Sequence, residues 1–248
     1  MRLILFIVLL ACGGNERVEP TTSPTPETVA VEEGTASVRL EFQGEGGTQL
    51  VGELWAASAG APAVVLMHQL SAERGEWAPV VEALRPLGVT VFAFDQRGHG
   101  ESEGEWRSFG EADWAKLPAD VSAALRVLRR HEVAPSKFVL GGSSIGSSAA
   151  ILSGAREDDV VGVFALSPGR AYRGLDTITP AATYAPRLLA IAAEGETPAK
   201  ETAEELARVA SRGSVQLLEG SAHGLRMMEA TPDLPARIRT FVEQALER

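Results

Sequence analysis

The chain has 248 residues, with 23 basic and 33 acidic side chains and a formal net charge of -10. This length suits one substantial folded core, so we expect a single globular domain. The negative charge repels phosphate backbones, and nucleic acid is not an expected partner. Cys12 is the single cysteine, which excludes an intramolecular disulfide framework and a structural zinc site built on thiolates. We expect neither a cofactor nor a metal.

The N-terminus has the pattern of a targeting segment. Arg2 precedes an apolar run over residues 3–10, which ends at Ala11 and Cys12. The run is too short for a membrane-spanning helix, which needs about 20 apolar residues. It resembles the signal peptide of bacterial lipoproteins, in which the cysteine becomes the acylated first residue of the mature protein. The resemblance implies a signal peptide over residues 1–11 and a lipid anchor on Cys12.

The segment after the cysteine, residues 12–33, is rich in Gly, Pro, Thr, Ser and Glu and has no apolar pattern. It is expected to be a disordered tether to a folded domain over residues 34–248. The implied location is the cell envelope. In a bacterium with two membranes, Gly13 and Gly14 resemble the signal for outer-membrane delivery. The alternative is a cleaved secretory signal followed by an incidental cysteine.

From residue 37 onward, short apolar runs alternate with longer amphipathic stretches, which is typical of an α/β fold. Residues 37–42 and 49–56 flank a glycine-rich turn and are predicted to form an antiparallel hairpin. Buried strands are predicted at 63–67, 90–94, 138–141, 161–166, 188–192 and 215–218. Helices are predicted at 77–84, 112–130, 145–154, 203–211 and 234–246. We therefore expect about eight strands in a mostly parallel sheet with helices on both faces.

A glycine-serine motif lies between the predicted strand at 138–141 and the helix that follows it. Gly142-Ser143-Ser144-Ile145-Gly146 fits the pattern G-x-S-x-G with Ser144 at its centre. Centring the motif on Ser143 would put Ile145 where the second glycine is needed. In this motif the glycines permit a sharp turn that presents the serine hydroxyl above the sheet. Ser144 is therefore the predicted nucleophile.

Two upstream segments extend this pattern. One is a strand that leads into His68 and Gln69, and the other reads D-x-R-G-H-G-x-S from Asp95 to Ser102. Together with the serine motif, they resemble the α/β-hydrolase family over residues 37–248. The resemblance implies an α/β-hydrolase fold and an oxyanion hole formed by the N–H groups of Ile145 and Leu70. The family usually has glycine in place of Gln69, so the choice between Gln69 and Leu70 as donor stays open.

The base is expected near the C-terminus, because the chain order in this fold is serine, acid, histidine. Of the four histidines, only His223 follows the last predicted strand. Imidazole titrates near neutrality, with an unperturbed pKa of about 6.5, as a general base requires. The other three are assigned to the scaffold or to a helix end: His68, His99 and His131.

The acid is expected in the loop after the strand at 188–192. Glu196 occupies the place where the family usually carries aspartate, and glutamate is a known variant at that place. Glu194 and Asp176 remain alternatives, the latter because some relatives place their acid after the preceding strand. The predicted triad is thus Ser144, His223 and Glu196.

This triad supports acyl transfer through a covalent acyl-enzyme, and a small-molecule carboxylic ester is the expected substrate. Residues 167–187 are too few for a helical cap domain, so the chain resembles the lidless, dienelactone-hydrolase-like branch of the family. An open site predicts a preference for short acyl groups and no interfacial activation. Thioester, amide and polyester bonds stay possible. Gln69 and Glu196 motivate the alternative of an inactive lipoprotein that uses the fold for binding.

Overall fold

The structure is a computed structural model that describes residues 36–247. The predicted signal peptide, Cys12 and the tether at 12–33 lie outside these residues and stay predictions. Among the residues described, no helix is long and apolar enough to cross a bilayer.

The central element is an eight-stranded sheet with the strand order β1-β2-β4-β3-β5-β6-β9-β10. The pairs β1–β2 and β2–β4 are antiparallel, and the remaining neighbours are parallel. Strands β7 and β8 form a separate small hairpin. The strands are β1 (Val38–Gln43), β2 (Gln49–Trp55), β3 (Ala63–Met67), β4 (Thr90–Asp95), β5 (Phe138–Ser143), β6 (Val160–Leu166), β7 (Ala171–Tyr172), β8 (Leu175–Asp176), β9 (Arg187–Ala193) and β10 (Gly213–Leu218).

Helices cover both faces of the sheet. Helices α3 (Leu117–Arg130), α4 (Ile145–Gly154) and α6 (Thr197–Val209) pack on one face of the sheet, and α1 (Ala78–Leu84) and α8 (Leu234–Leu246) pack on the other. Each face has its own buried apolar cluster. Alternate residues of β3 serve the two clusters, with Val65 in one and Val64 and Leu66 in the other. The shorter helices are α2 (Glu111–Trp114), α5 (Ile178–Ala181) and α7 (Met227–Ala230).

All eight predicted strands are present, with ends within about two residues of those expected. Two helix predictions were wrong in their bounds. The helix predicted at 112–130 is divided into α2 and α3, since Pro118 at the start of α3 cannot continue the earlier helix's hydrogen bonds. The helix predicted at 203–211 begins at Thr197, where Pro198 occupies the first turn. The sequence did not predict β7, β8, α5 or α7.

The sheet order explains where a site can form. Strand β4 lies on one side of β3 and β5 on the other, so the chain reverses its winding direction between β3 and β5. Ligands of open α/β sheets bind beyond the carboxyl ends of the strands at such a point. Gln69 and Leu70 follow β3, and Ser144 follows β5. The segments after β6, β9 and β10 continue the same edge and carry Ser167, Glu196 and His223.

Candidate active site

Ser144 lies at a strained turn between β5 and α4. Its backbone has φ 52° and ψ -116°, a conformation rare for a residue with a side chain. A Cβ atom on Gly142 would overlap the carbonyl oxygen of Gly146, and one on Gly146 would overlap the carbonyl oxygen of Met67. The Ser144 N–H donates to the Leu166 carbonyl at 2.8 Å, which fixes the turn to β6. Both glycines are therefore required by close backbone packing.

His223 and Glu196 are in direct contact. The Nδ1 atom of His223 forms a hydrogen bond with a carboxylate oxygen of Glu196. Because a carboxylate accepts, Nδ1 is the donor and Nε2 is left with a lone pair. The Glu196 side chain is 17% exposed and that of His223 is 40% exposed. His223 lines the same two cavities as Ser144, so the predicted nucleophile, base and acid lie together.

The two alternative acids lie elsewhere. Glu194 is exposed, and no hydrogen bond or ion pair joins its carboxylate to another described residue. Asp176 is also exposed and accepts a hydrogen bond from the Ile178 N–H at 3.0 Å, at the start of α5. Hydrogen bonds from Thr179 and Ile178 lower the pKa of Asp176. Neither acid contacts His223, so the geometry favours Glu196.

Ser167, which the sequence analysis did not single out, joins the acid to the base loop. Its hydroxyl donates to Glu196 Oε2 at 2.7 Å and accepts from the Gly224 N–H at 2.8 Å. Ser167 is fully buried and has a positive φ of 46°, directly after β6. The signal available in the sequence was a polar residue at the carboxyl end of a buried strand, between the strands that carry the nucleophile and the acid.

The backbone after β3 is oriented by His68. Its Nδ1 donates to the Gln69 carbonyl at 2.7 Å, and its Nε2 accepts from the Gln96 N–H at 2.9 Å. In a trans peptide the carbonyl and the next N–H point in opposite directions, so the Leu70 N–H points away from His68. Burial lowers the pKa of His68 to about 4, which keeps the ring neutral near pH 7. Leu70 lines both cavities beside Ser144, which favours its N–H over that of Gln69 as the oxyanion donor.

Two adjoining cavities meet at Ser144, with volumes of about 240 and 360 Å³. Both are lined by Leu70, Ser144 and His223. The smaller is completed by Ile145, Tyr172 and Arg173, and the larger by Gln69, Ser71 and Arg226. The hairpin β7–β8 thus forms one wall of the site in place of a cap domain. Burial raises the pKa of the half-buried Tyr172 in that wall, with a further contribution from Glu196.

The segment from Asp95 to Ser102 stabilises the scaffold and does not line these cavities. Asp95 accepts the N–H groups of Arg74 and Glu101 at 2.7 and 2.9 Å. Arg97 forms a buried ion pair with Asp120, whose pKa is raised by burial although the guanidinium opposes that shift. His99 stacks on Trp106, and His131 follows α3.

Within residues 36–247 no cluster of three or more His, Cys, Asp or Glu is placed to hold a metal ion.

Comparison of the sequence with protein-family profiles and with curated proteins assigns the chain to a family. The profile of the serine aminopeptidase family S33 matches residues 60–212. A thiohydrolase of Aspergillus aculeatus is 34% identical over 122 residues, 48% of this chain and 37% of the relative. A monoacylglycerol lipase of Mycolicibacterium smegmatis is 26% identical over 163 residues, 64% of this chain and 57% of the relative. The chain therefore spans only about two fifths to three fifths of the length of these curated relatives.

A solved structure supports the fold across the sheet. Dienelactone hydrolase from Anabaena variabilis superposes with a TM-score of 0.68 at 15% identity, covering 84% of this chain and 95% of that one. The match with the S33 profile covers the segments that carry Leu70, Ser144 and Glu196 and ends before His223. The chain has the α/β-hydrolase fold and belongs to the serine aminopeptidase family S33.

Proposed function

We propose that the protein hydrolyses carboxylic esters through an acyl-enzyme, with Ser144 as the nucleophile, His223 as the base and Glu196 as the acid. The observation that carries the proposal is the hydrogen bond between His223 and Glu196 beside the strained turn at Ser144. The remaining ring nitrogen of His223 has the lone pair that a general base needs.

In the first half-reaction, Nε2 of His223 takes the Ser144 hydroxyl proton as Oγ attacks the ester carbonyl carbon. The N–H groups of Leu70 and Ile145 stabilise the resulting oxyanion, and Glu196 stabilises the imidazolium. The carbon–oxygen bond to the alcohol then breaks, and His223 gives its proton to the departing alkoxide. Water repeats the sequence on the acyl-enzyme and releases the carboxylic acid, which restores the Ser144 hydroxyl.

The charges around Ser144 favour an ester over a peptide with a free N-terminus. An aminopeptidase needs a group that attracts the substrate ammonium. The described residues that line the two cavities include two arginines, Arg173 and Arg226, and no carboxylate. Glu196 is engaged with His223 and Ser167. An ammonium group would therefore be repelled, whereas a neutral or anionic acyl group would not.

Labelling with a fluorophosphonate tests the proposal, because Oγ of an activated serine displaces fluoride from the probe and becomes phosphonylated. We expect stoichiometric labelling that peptide mass spectrometry assigns to Ser144, together with hydrolysis of p-nitrophenyl butyrate. The Ser144→Ala variant is the control. A chain that neither reacts with the probe nor cleaves the ester would favour the alternative of a binding protein. Faster turnover of alanine p-nitroanilide than of the ester would contradict the assignment of the ester bond.

We also propose that the enzyme is lipid-anchored through Cys12 in the cell envelope. The support is the single cysteine at the end of a short apolar run. Expression in a bacterium fed an alkyne-labelled fatty acid should label the wild type and place it in the membrane fraction. The Cys12→Ser variant should carry no label. Soluble, unlabelled wild-type protein outside the cytoplasm would contradict the anchor.

A further inference from the structure

The Gln69 side chain lies at the meeting point of the segments that carry the nucleophile and the base. Its Oε1 atom accepts from the Ser143 hydroxyl at 3.0 Å and from the Leu225 N–H at 2.9 Å. Ser143 directly precedes Ser144, and Leu225 is two residues after His223. We propose that Gln69 is a positioning residue whose amide oxygen holds the base loop, residues 223–225, in register with the serine turn. This inference rests on the proposed function.

Two consecutive N–H groups of the base loop donate hydrogen bonds to side chains. The two accepting residues follow different strands, β6 and β3. The Gly224 N–H donates to Ser167, which also contacts Glu196. The Leu225 N–H donates to Gln69. Ser167 therefore connects the loop to the acid, and Gln69 connects it to the serine turn through Ser143. Without Gln69, the Gly224 N–H would keep its hydrogen bond to Ser167, while the Leu225 N–H would lose its side-chain acceptor.

The packing around Gly224 fits this role. Gly224 has a positive φ of 59°, and a Cβ atom there would overlap both Gln69 Oε1 and the Ser143 hydroxyl. The backbone of the loop therefore approaches the amide oxygen too closely for any residue with a side chain at position 224. Ser143 is fully buried and Leu225 is 5% exposed, so a lost acceptor at position 69 would not be replaced freely by bulk water.

The side chain and the backbone of residue 69 are fixed by separate groups. The Gln69 carbonyl is held by His68, whatever side chain position 69 carries. Substitution of the side chain should therefore leave the Leu70 N–H in place and displace only the base loop. This separation makes the role testable, because a small displacement of a catalytic group lowers the rate of chemistry by as much as about 10²-fold.

Two substitutions that keep the size of the side chain distinguish the effect of the Gln69 hydrogen-bond acceptor from the effect of its packing. Gln69→Met keeps the length of the side chain and removes the strong acceptor, while Gln69→Glu keeps an acceptor for both hydrogen bonds. We expect Gln69→Met to lower kcat for p-nitrophenyl butyrate by about 10- to 100-fold with little change in KM. Gln69→Glu should retain kcat within about fivefold.

Hydrogen exchange of the Leu225 amide gives a readout that does not depend on activity. The amide should be protected in the wild type and in Gln69→Glu and should exchange faster in Gln69→Met. Equal losses of kcat in the Met and Glu variants, or a Met variant within twofold of the wild type, would overturn the proposal. If Gln69→Met fails to fold, Gln69→Asn takes its place in the test, because the shorter side chain moves the amide oxygen away from the Leu225 N–H. If the wild type lacks esterase activity, the proposed function fails, while hydrogen exchange still tests the contact.

Discussion

The proposed nucleophile side and the proposed base side of the candidate site are built in different ways. Ser144 depends on its own neighbours, because Gly142 and Gly146 provide the room for the turn. His223 depends on Glu196 and on the side chains of Ser167 and Gln69, which follow three other strands. The first arrangement is encoded in five consecutive residues. The second exists only once the sheet has brought distant segments together, so it should be the more sensitive to substitutions away from the reacting atoms.

The strongest test of the nucleophile side is the pair Ser144→Ala and Ser143→Ala. We expect Ser144→Ala to lower kcat for a short activated ester by about 10⁴-fold or more, since the attacking oxygen is lost. Ser143→Ala removes one hydrogen bond to Gln69 and should lower kcat by about tenfold or less. Steady-state kinetics with circular dichroism to check folding measures both. An active Ser144→Ala beside an inactive Ser143→Ala would reverse the assignment of the motif.

On the base side, Glu196→Gln should lower kcat by about 10³- to 10⁴-fold with little change in KM. A neutral amide stabilises neither the imidazolium nor the ring orientation that leaves Nε2 free to accept a proton. Glu194→Gln is the matched control, because Glu194 is two residues away and exposed. It should change kcat by less than about tenfold. Near-normal kcat in Glu196→Gln would return Glu194 or Asp176 to consideration.

Local patterns in the sequence predicted the eight strands, from apolar runs, and the candidate nucleophile Ser144, from the glycine spacing. The chain order of the family that the sequence resembles predicted His223 and Glu196, which the structure places in contact. Ser167 was missed because a serine after a strand has no local pattern that distinguishes it from an ordinary loop residue. The hairpin β7–β8, which carries Tyr172, was missed because two-residue strands have no periodicity.

Gln69 shows the limit of a comparison with a family pattern. As a departure from glycine it suggested a disturbed oxyanion loop or even loss of activity. In the structure its carbonyl is held by His68, and its side chain bonds to Ser143 and Leu225. The partners of a long side chain lie far away in the chain, with Leu225 separated by 156 residues. Only the tertiary structure could supply them.

His68 tests whether the loop after β3 is held by a neutral ring. Its pKa is about 4 in the folded protein because of burial, below the unperturbed value of about 6.5. The folded state therefore binds fewer protons than the unfolded state between these values. The contribution of neutral His68 to the free energy of unfolding is present above about pH 6.5 and is lost as pH falls towards 4. At about 1.4 kcal/mol per unit, the full loss is about 3 kcal/mol.

Urea unfolding at pH 7 and pH 4 measures this contribution. His68→Asn cannot titrate, so the stability difference between wild type and variant should shrink by up to about 3 kcal/mol between the two pH values. His131→Asn is the control, since His131 is only half-buried at the end of α3. A His68→Asn difference that is the same at both pH values would show that the ring is not kept neutral by the fold.

A smaller effect than that of Glu196 is expected for Ser167, which supports the base side without contacting the substrate carbonyl in the proposed mechanism. Ser167→Ala leaves Glu196 Oε2 without its donor and the Gly224 N–H without its acceptor. Glu196 still contacts His223 through its other oxygen. We therefore expect kcat to fall by only about tenfold, the equivalent of about 1.4 kcal/mol, with KM nearly unchanged.

Ser148→Ala is the matched control for this substitution. Ser148 is also fully buried, in α4, but its hydroxyl has no hydrogen-bond partner among residues 36–247. Its loss should leave kcat within about twofold of the wild type. The pair separates a specific contact from the general cost of deleting a buried hydroxyl. Equal kinetics for the two variants would mean that the Glu196–His223 contact orients the base without support from Ser167.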